Sequence, residues 1–318
     1  MVGAGAVGLG VGSCLVASGA DVCFVTPPGG AAPLQARGLE RTGVLGSFRC
    51  DYESFDVSED LEEGLAGADF VLVCTKTHTS RRMAATLAEF STITRGEVPV
   101  VLFQNGWGSA EIFAEMLPSQ SVFNARVISG FVRSARHVVE ITVHADAIRM
   151  GSLFGSDPGV LNVLATAIAQ GGIPCELTDR IDRDLWAKML YNCALNPLGA
   201  LHDLPYGELA DRAVARQLMD LVIDEIFEVM DAHDFETHWS SASEYRRDFY
   251  GDLLPTTRAH ESSMLLDLRA GRETEIDSLC GAVVGLAQQG GGAAPVNRAL
   301  TDLVRAVTVT RGKAVSRT

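Results

Sequence analysis

The sequence predicts an α/β fold in two parts, a strand-bearing N-terminal half followed by an all-helical C-terminal half. Three observations lead there. A glycine-rich run, Gly3-Ala4-Gly5-Ala6-Val7-Gly8, opens the chain. Short apolar runs follow at 21–25, 68–74 and 98–103, each bounded by turn residues and too short for a helix. From about Asp179 the apolar residues instead recur every three or four positions, over 182–196, 208–233, 255–270 and 274–289. The change of texture divides the chain into domains at 1–178 and 179–318.

The glycine run has the G-x-G-x-x-G spacing of a strand-to-helix turn that holds a pyrophosphate. Gly3 makes the turn, Gly5 leaves the backbone open to the anion, and Gly8 allows the helix to pack closely. The flanking strands supply the context that the motif requires, so the first half is expected to be a Rossmann-type dinucleotide-binding domain, with Gly3, Gly5, Ala6, Val7 and Gly8 as cofactor contacts. Only Met1 and Val2 precede the motif, where a strand of about five residues is usual. We therefore expect the chain to begin late, and upstream apolar residues to complete that strand. Residues 138–153 alternate apolar and polar side chains, as antiparallel strands finishing this half would.

Composition excludes several classes. With 26 basic and 40 acidic residues the net charge is −14, opposite to that of most nucleic-acid binders. The basic end carrying Arg305, Arg311, Lys313 and Arg317 reads as a solvated terminus. Seven cysteines without a CxxC pair fit small buried hydrophobes in a reducing, cytoplasmic compartment. The histidines show no metal spacing, so no metal is expected, and charges or turn residues interrupt every stretch long enough to span a membrane.

The chemical residues lie mostly in the second half. Lys188, Asn192 and Asn196 are successive i, i+4 neighbours, one polar stripe on a helix otherwise lined by Leu185, Trp186, Met189, Leu190 and Leu195. A lysine and two amides in such company would each cost roughly 1–3 kcal/mol if buried unpaired, which points to a ligand cleft. Gly271 reads as a helix C-cap, and Thr274 with Asp277 as the capping start of the next helix. Glu275 falls in that first turn, where it either serves the helix dipole or reaches the cleft. In the first half, Lys76 and Gln104-Asn105-Gly106 follow strands, at the edge where open α/β sheets bind ligands.

Taken together, these blocks resemble the ketopantoate reductase family, the 2-dehydropantoate 2-reductases. The resemblance runs nearly end to end, through GAGAVG at 3–8, Lys76 in VCTKT, QNG at 104–106, LWAKMLYNCALNPL at 185–198, SSMLLDLRAGRETEID at 262–277 and PVN at 295–297. It implies NADPH-dependent reduction of a small-molecule 2-oxo acid on the route to pantothenate and coenzyme A. It further implies Lys188 as general acid, Asn192, Asn196 and Ser263 as substrate contacts, and Glu275 as a catalytic acid near lysine and cofactor. Lys76, Asn105 and the backbone of Gly130 would touch the cofactor, and relatives point to a homodimer. The chemistry is consistent: hydride delivery to a ketone builds negative charge on its oxygen, which a lysine ammonium can stabilise and protonate.

The chain departs from the family pattern in two places. Many members carry an arginine after the second strand for the 2′-phosphate of NADPH, whereas this chain reads Val25-Thr26-Pro27-Pro28-Gly29-Gly30. The acid expected for NADH is missing too, so the loop leaves the choice between NADPH and NADH open, and the nearest base in sequence is Arg37. Tyr206 stands where some relatives have another substrate-contacting asparagine. The alternatives are a paralogous reductase of another bulky 2-oxo acid, using NADPH or NADH, and a non-catalytic dinucleotide sensor.

Overall fold

A computed structural model describes residues 1–315, the last six of these by backbone alone. The chain divides into two compact units. One comprises Met1–Gln104 and Ser109–Ile181; the other comprises Asn105–Gly108 and the residues from Asp182 onward. The first is the α/β unit and the second is all-helical.

The strands of the first unit are β1 (Cys23–Val25), β2 (Leu39–Gly43), β3 (Phe48–Cys50), β4 (Asp56–Ser58), β5 (Val71–Val73), β6 (Val100–Leu102), β7 (Val122–Ala135), β8 (Val138–Gly151) and β9 (Cys175–Leu177). A parallel pair, β1 and β4, lies beside a seven-stranded sheet in the order β3-β2-β8-β7-β6-β5, with β9 on β8. Val2 joins the two sheets by bridging Val25 on one side and Val73 on the other, both in parallel. Short as it is, the segment forms a ladder on both sides. Val2 N donates to Leu72 O at 2.8 Å and Cys74 N to Val2 O at 2.8 Å, while Val25 N donates to Met1 O at 2.8 Å and Gly3 N to Val25 O at 3.0 Å. Apolar residues cover both faces of the sheet, one around Leu9, Phe24, Val101 and Phe123, the other around Val73, Leu87, Leu102 and Phe113. The expected alternation at 138–153 is the antiparallel pair β7 and β8. Gly130 lies within β7, opposite Val143.

The helical unit is built on Ile181–His202, whose first turn carries Asp182 and Asp184, a placement that the helix dipole favours. It continues through Pro197. A proline removes the N–H that would bond the carbonyl four residues earlier, here that of Cys193. The Cys280 thiol donates to that carbonyl at 3.8 Å, and Cys193 and Cys280 are both fully buried.

Three expected helices are broken. The 208–233 span divides into Tyr206–Ala210 and Ala213–Ala232, where Asp211 turns aside to pair with Arg258 at 2.7 Å and Arg212 is extended. The 255–270 span contains only the end of a short turn, Leu254–Thr256, which follows a π-turn at Phe249–Leu253, and then a separate helix, Ser263–Arg269, followed by Gly271 in the left-handed region. The 274–289 span begins with a 3-10 turn, Ile276–Ser278, and its helix starts only at Cys280. The Thr274–Asp277 capping pair therefore does not form, and the Asp277 carboxylate pairs instead with Arg305 at 2.6 Å. Arg305 is thus tied down, while Arg311, Lys313 and Arg317 lie outside the residues whose side chains are described. Among the described residues no helix is long and apolar enough to cross a membrane.

Candidate active site

In the helical unit, one hydrogen-bonded chain links three of the expected residues. Lys188 Nζ donates to Asn105 Oδ1 at 2.6 Å, and Asn105 Nδ2 donates to Glu275 Oε2 at 3.1 Å. The amide thus bridges an ammonium and a carboxylate, presenting to each the atom that its charge prefers. Glu275 is buried and ends the segment before the 3-10 turn, its carbonyl held by Ser278 N at 3.2 Å and by Ser278 Oγ at 3.0 Å. It does not sit in a helical first turn, so its carboxylate is available to the amide.

The Asn105–Gly108 segment is fixed in this unit by packing and by backbone contact. Trp107 rests on Trp186 with ring centroids 4.7 Å apart and on Phe235 at 5.0 Å, and its N–H donates to Ser278 O at 2.8 Å. Gly106 has φ +88°, and a Cβ there would stand 2.3 Å from Ser278 O, so only glycine permits this approach. Sequence spacing offered no sign that Trp107 anchors Asn105.

The rest of the stripe is held differently. Asn196 is buried, and its Oδ1 accepts from Tyr206 Oη at 2.6 Å, so the remaining polarity of the side chain is its NH2 group. Burial, reinforced by the neighbouring Tyr191, pushes the Tyr206 hydroxyl well above its ordinary pKa and keeps it a donor. Tyr206 also meets the His260 ring edge-on, with centroids 5.3 Å apart. Asn192 is half-buried, and its amide enters no hydrogen bond among the described residues. Ser263 is exposed at the start of its helix; the preceding Ser262, fully buried, is the cap, accepting from Leu265 N at 3.0 Å and reaching Asn196 O at 3.4 Å.

The glycine loop of the α/β unit can be tested for its fit to a dinucleotide. Gly3 has φ +101°, and a Cβ on Gly8 would lie 2.0 Å from Gly3 O, so turn and helix are pressed together. A Cβ on Gly5 would meet nothing within 4 Å. Gly5 caps the helix Ala6–Ala17 without a side chain, no acid occupies the first turn, and the amides of Ala6, Val7 and Gly8 have no acceptor among the described residues. Unsatisfied amides, open space and a helix N-terminus suit a pyrophosphate. Lys76 is half-buried at the N-cap of the turn Thr77–Thr79, just past β5. Buried Gln104 ties the ends of β5 and β6 together, donating to Thr75 O at 3.0 Å and accepting from Ser80 Oγ at 3.1 Å.

Two arginines that the sequence did not single out come to the same edge of this unit. Arg133 donates to Ala4 O at 3.0 Å and Arg136 to Gly29 O at 3.0 Å. They lie 129 and 107 positions from those partners, so no local pattern marks them.

Residues 1–154 match the family described as ketopantoate reductase PanE/ApbA, and residues 180–308 match its C-terminal domain. The chain belongs to the ketopantoate reductase family. A curated relative, the 2-dehydropantoate 2-reductase of Aquifex aeolicus, is 33% identical over 312 residues, covering 96% of this chain and 95% of its own. The crystal structure of a PanE/ApbA family ketopantoate reductase from Ralstonia eutropha JMP134 superposes with a TM-score of 0.83 at 28% identity, covering 98% of this chain and 99% of its own. That of a 2-dehydropantoate 2-reductase from Geobacter metallireducens superposes at 0.84 with 25% identity, covering 96% and 97%.

Proposed function

We propose that the protein reduces 2-dehydropantoate to pantoate with NADPH, as a cytoplasmic homodimer. The observation that carries the reading is the Lys188–Asn105–Glu275 chain, which holds an ammonium in place through an amide oriented by a carboxylate. When bound, the dinucleotide supplies a hydride to the ketone carbon. Lys188 donates a hydrogen bond to the ketone oxygen and passes it a proton from Nζ as charge builds there, then recovers a proton from water. Glu275 and Asn105 keep the lysine oriented through that cycle. The Asn192 amide, the Asn196 NH2 and the Ser263 hydroxyl are donors for the substrate carboxylate and hydroxyl. The amides of Ala6, Val7 and Gly8 would hold the pyrophosphate, and Lys76, at the turn after β5, would be a further cofactor contact.

The second reading is reduction of a different bulky 2-oxo acid, with NADPH or NADH. Tyr206 favours it, because its hydroxyl occupies Asn196 Oδ1 and leaves that amide only its NH2 group for a substrate. The experiment is the loss of NADPH absorbance, and separately of NADH absorbance, on adding 2-dehydropantoate, with pyruvate and 2-oxoisovalerate as comparison ketones. Rapid oxidation of NADPH with 2-dehydropantoate alone is expected. Preference for another ketone would establish the second reading, and dinucleotide binding without oxidation by any ketone would make the protein a sensor. Sedimentation at micromolar concentration tests the dimer.

A further inference from the structure

We infer that Arg136, on the turn between β7 and β8, is the cation that recognises the 2′-phosphate of the dinucleotide. The inference rests on the proposed use of NADPH and adds the residue that selects it. In a fold of this kind the loop after the strand that follows the glycine helix reads the adenosine ribose, an acid there binding the free diol and an arginine nearby the phosphate. Here that loop is Thr26-Pro27-Pro28-Gly29-Gly30, without an ionisable side chain.

The structure brings the charge from elsewhere in the same unit. Arg136 Nη1 donates to Gly29 O at 3.0 Å, its only hydrogen bond among the described residues. A guanidinium has five N–H donors in a planar fork, so four remain on an exposed side chain already anchored to the loop. Its position is set by the sheet: β8 pairs with β2 from Glu40 opposite Val138, and Glu40 N donates to His137 O at 2.9 Å, fixing the turn beside β2, the strand that follows the loop and its helix. Three residues earlier, Arg133 donates to Ala4 O at 3.0 Å, so the same hairpin reaches the glycine loop as well. Arg37, the nearest base in sequence, closes the far end of the helix Ala31–Arg37, about 9 Å along its axis from the loop.

One carboxylate lies close by. Glu59 Oε1 accepts from Ala31 N at 3.1 Å and so caps that helix. An acid at this place is also what a diol reader uses, so the two charges make opposite predictions.

The test is calorimetric titration of the unliganded protein with 2′,5′-ADP and with 5′-AMP, which carry the adenosine half alone and give a readout independent of turnover. The wild type is expected to bind 2′,5′-ADP at least about tenfold more tightly than 5′-AMP. Arg136→Ala should lose about tenfold for 2′,5′-ADP, in line with a hydrogen bond to a charged group, keep 5′-AMP within about twofold, and melt as the wild type does. Arg136→Lys should recover part of the loss. Unchanged 2′,5′-ADP affinity in Arg136→Ala would overturn the inference, as would a wild type that favours 5′-AMP and weakens for it in Glu59→Gln. Failure of ketone reduction alone would count against the proposed activity and leave the binding comparison standing.

Discussion

The two units prepare for ligands with different material. The α/β unit offers main chain, the amides of Ala6, Val7 and Gly8 exposed by a turn in which Gly3 and Gly8 are pressed together. The helical unit offers side chains, Lys188 and Glu275 joined through Asn105 and Asn196 held by Tyr206. A main-chain site depends on whether a Cβ fits, and it reads as spacing in the sequence. A side-chain site depends on which groups converge, and convergence belongs to the packing.

The largest expected effect separates the two. Lys188→Ala should lower kcat by about 100-fold or more, the usual contribution of a positioned general acid, while dinucleotide affinity stays nearly unchanged. A variant with wild-type kcat would remove Lys188 from the mechanism. Next, the glycines should divide by role. Gly8→Ala places a carbon 2.0 Å from Gly3 O and should cost about 1–3 kcal/mol of stability, read by denaturant unfolding. Gly5→Ala meets no protein atom within 4 Å and should melt normally yet bind the dinucleotide weakly; equal melting of both variants would break the comparison.

Smaller effects sharpen the helical side. Tyr206→Phe removes the donor to a buried amide oxygen and should cost about 1–3 kcal/mol, with a change in KM that exceeds any change in kcat. A change confined to kcat would show that Asn196 does not face substrate. The smallest effect is in pH. Burial lowers the pKa of His260 below its ordinary 6.5, only partly opposed by Glu261. A depressed histidine means that the unfolded chain takes the proton more readily. Stability should therefore be full above about pH 6.5 and fall as the pH drops from there toward the folded value. His260→Gln should flatten that slope, and an unaltered slope in the variant would assign it to other groups.

The glycine spacing, the strand runs around Val71–Val73 and Val100–Leu102, and the Lys188–Asn192–Asn196 stripe were legible because each is a local repeat of one element's geometry. The helix boundaries in the second half were less so. Thr274 and Asp277 have the spacing of a cap, yet Arg305, 28 positions away from Asp277, takes the carboxylate and the helix starts at Cys280. Asp211 is diverted in the same way by Arg258, 47 positions away. In each case a charged partner distant in sequence outweighed a weak local preference.

By itself, then, the sequence determined the α/β class, the succession of a strand-bearing and a helical half, the family and the residue types that carry chemistry, because periodicity and glycine placement are properties of neighbours along the chain. Only the tertiary structure decided that Asn105 joins Lys188 to Glu275, that Tyr206 occupies Asn196, and that Arg136 reaches the loop left without a charge. Those pairings span from 10 to 170 positions. They arise from strand register and helix packing, which bring distant residues within hydrogen-bond length without leaving a pattern in the sequence between them.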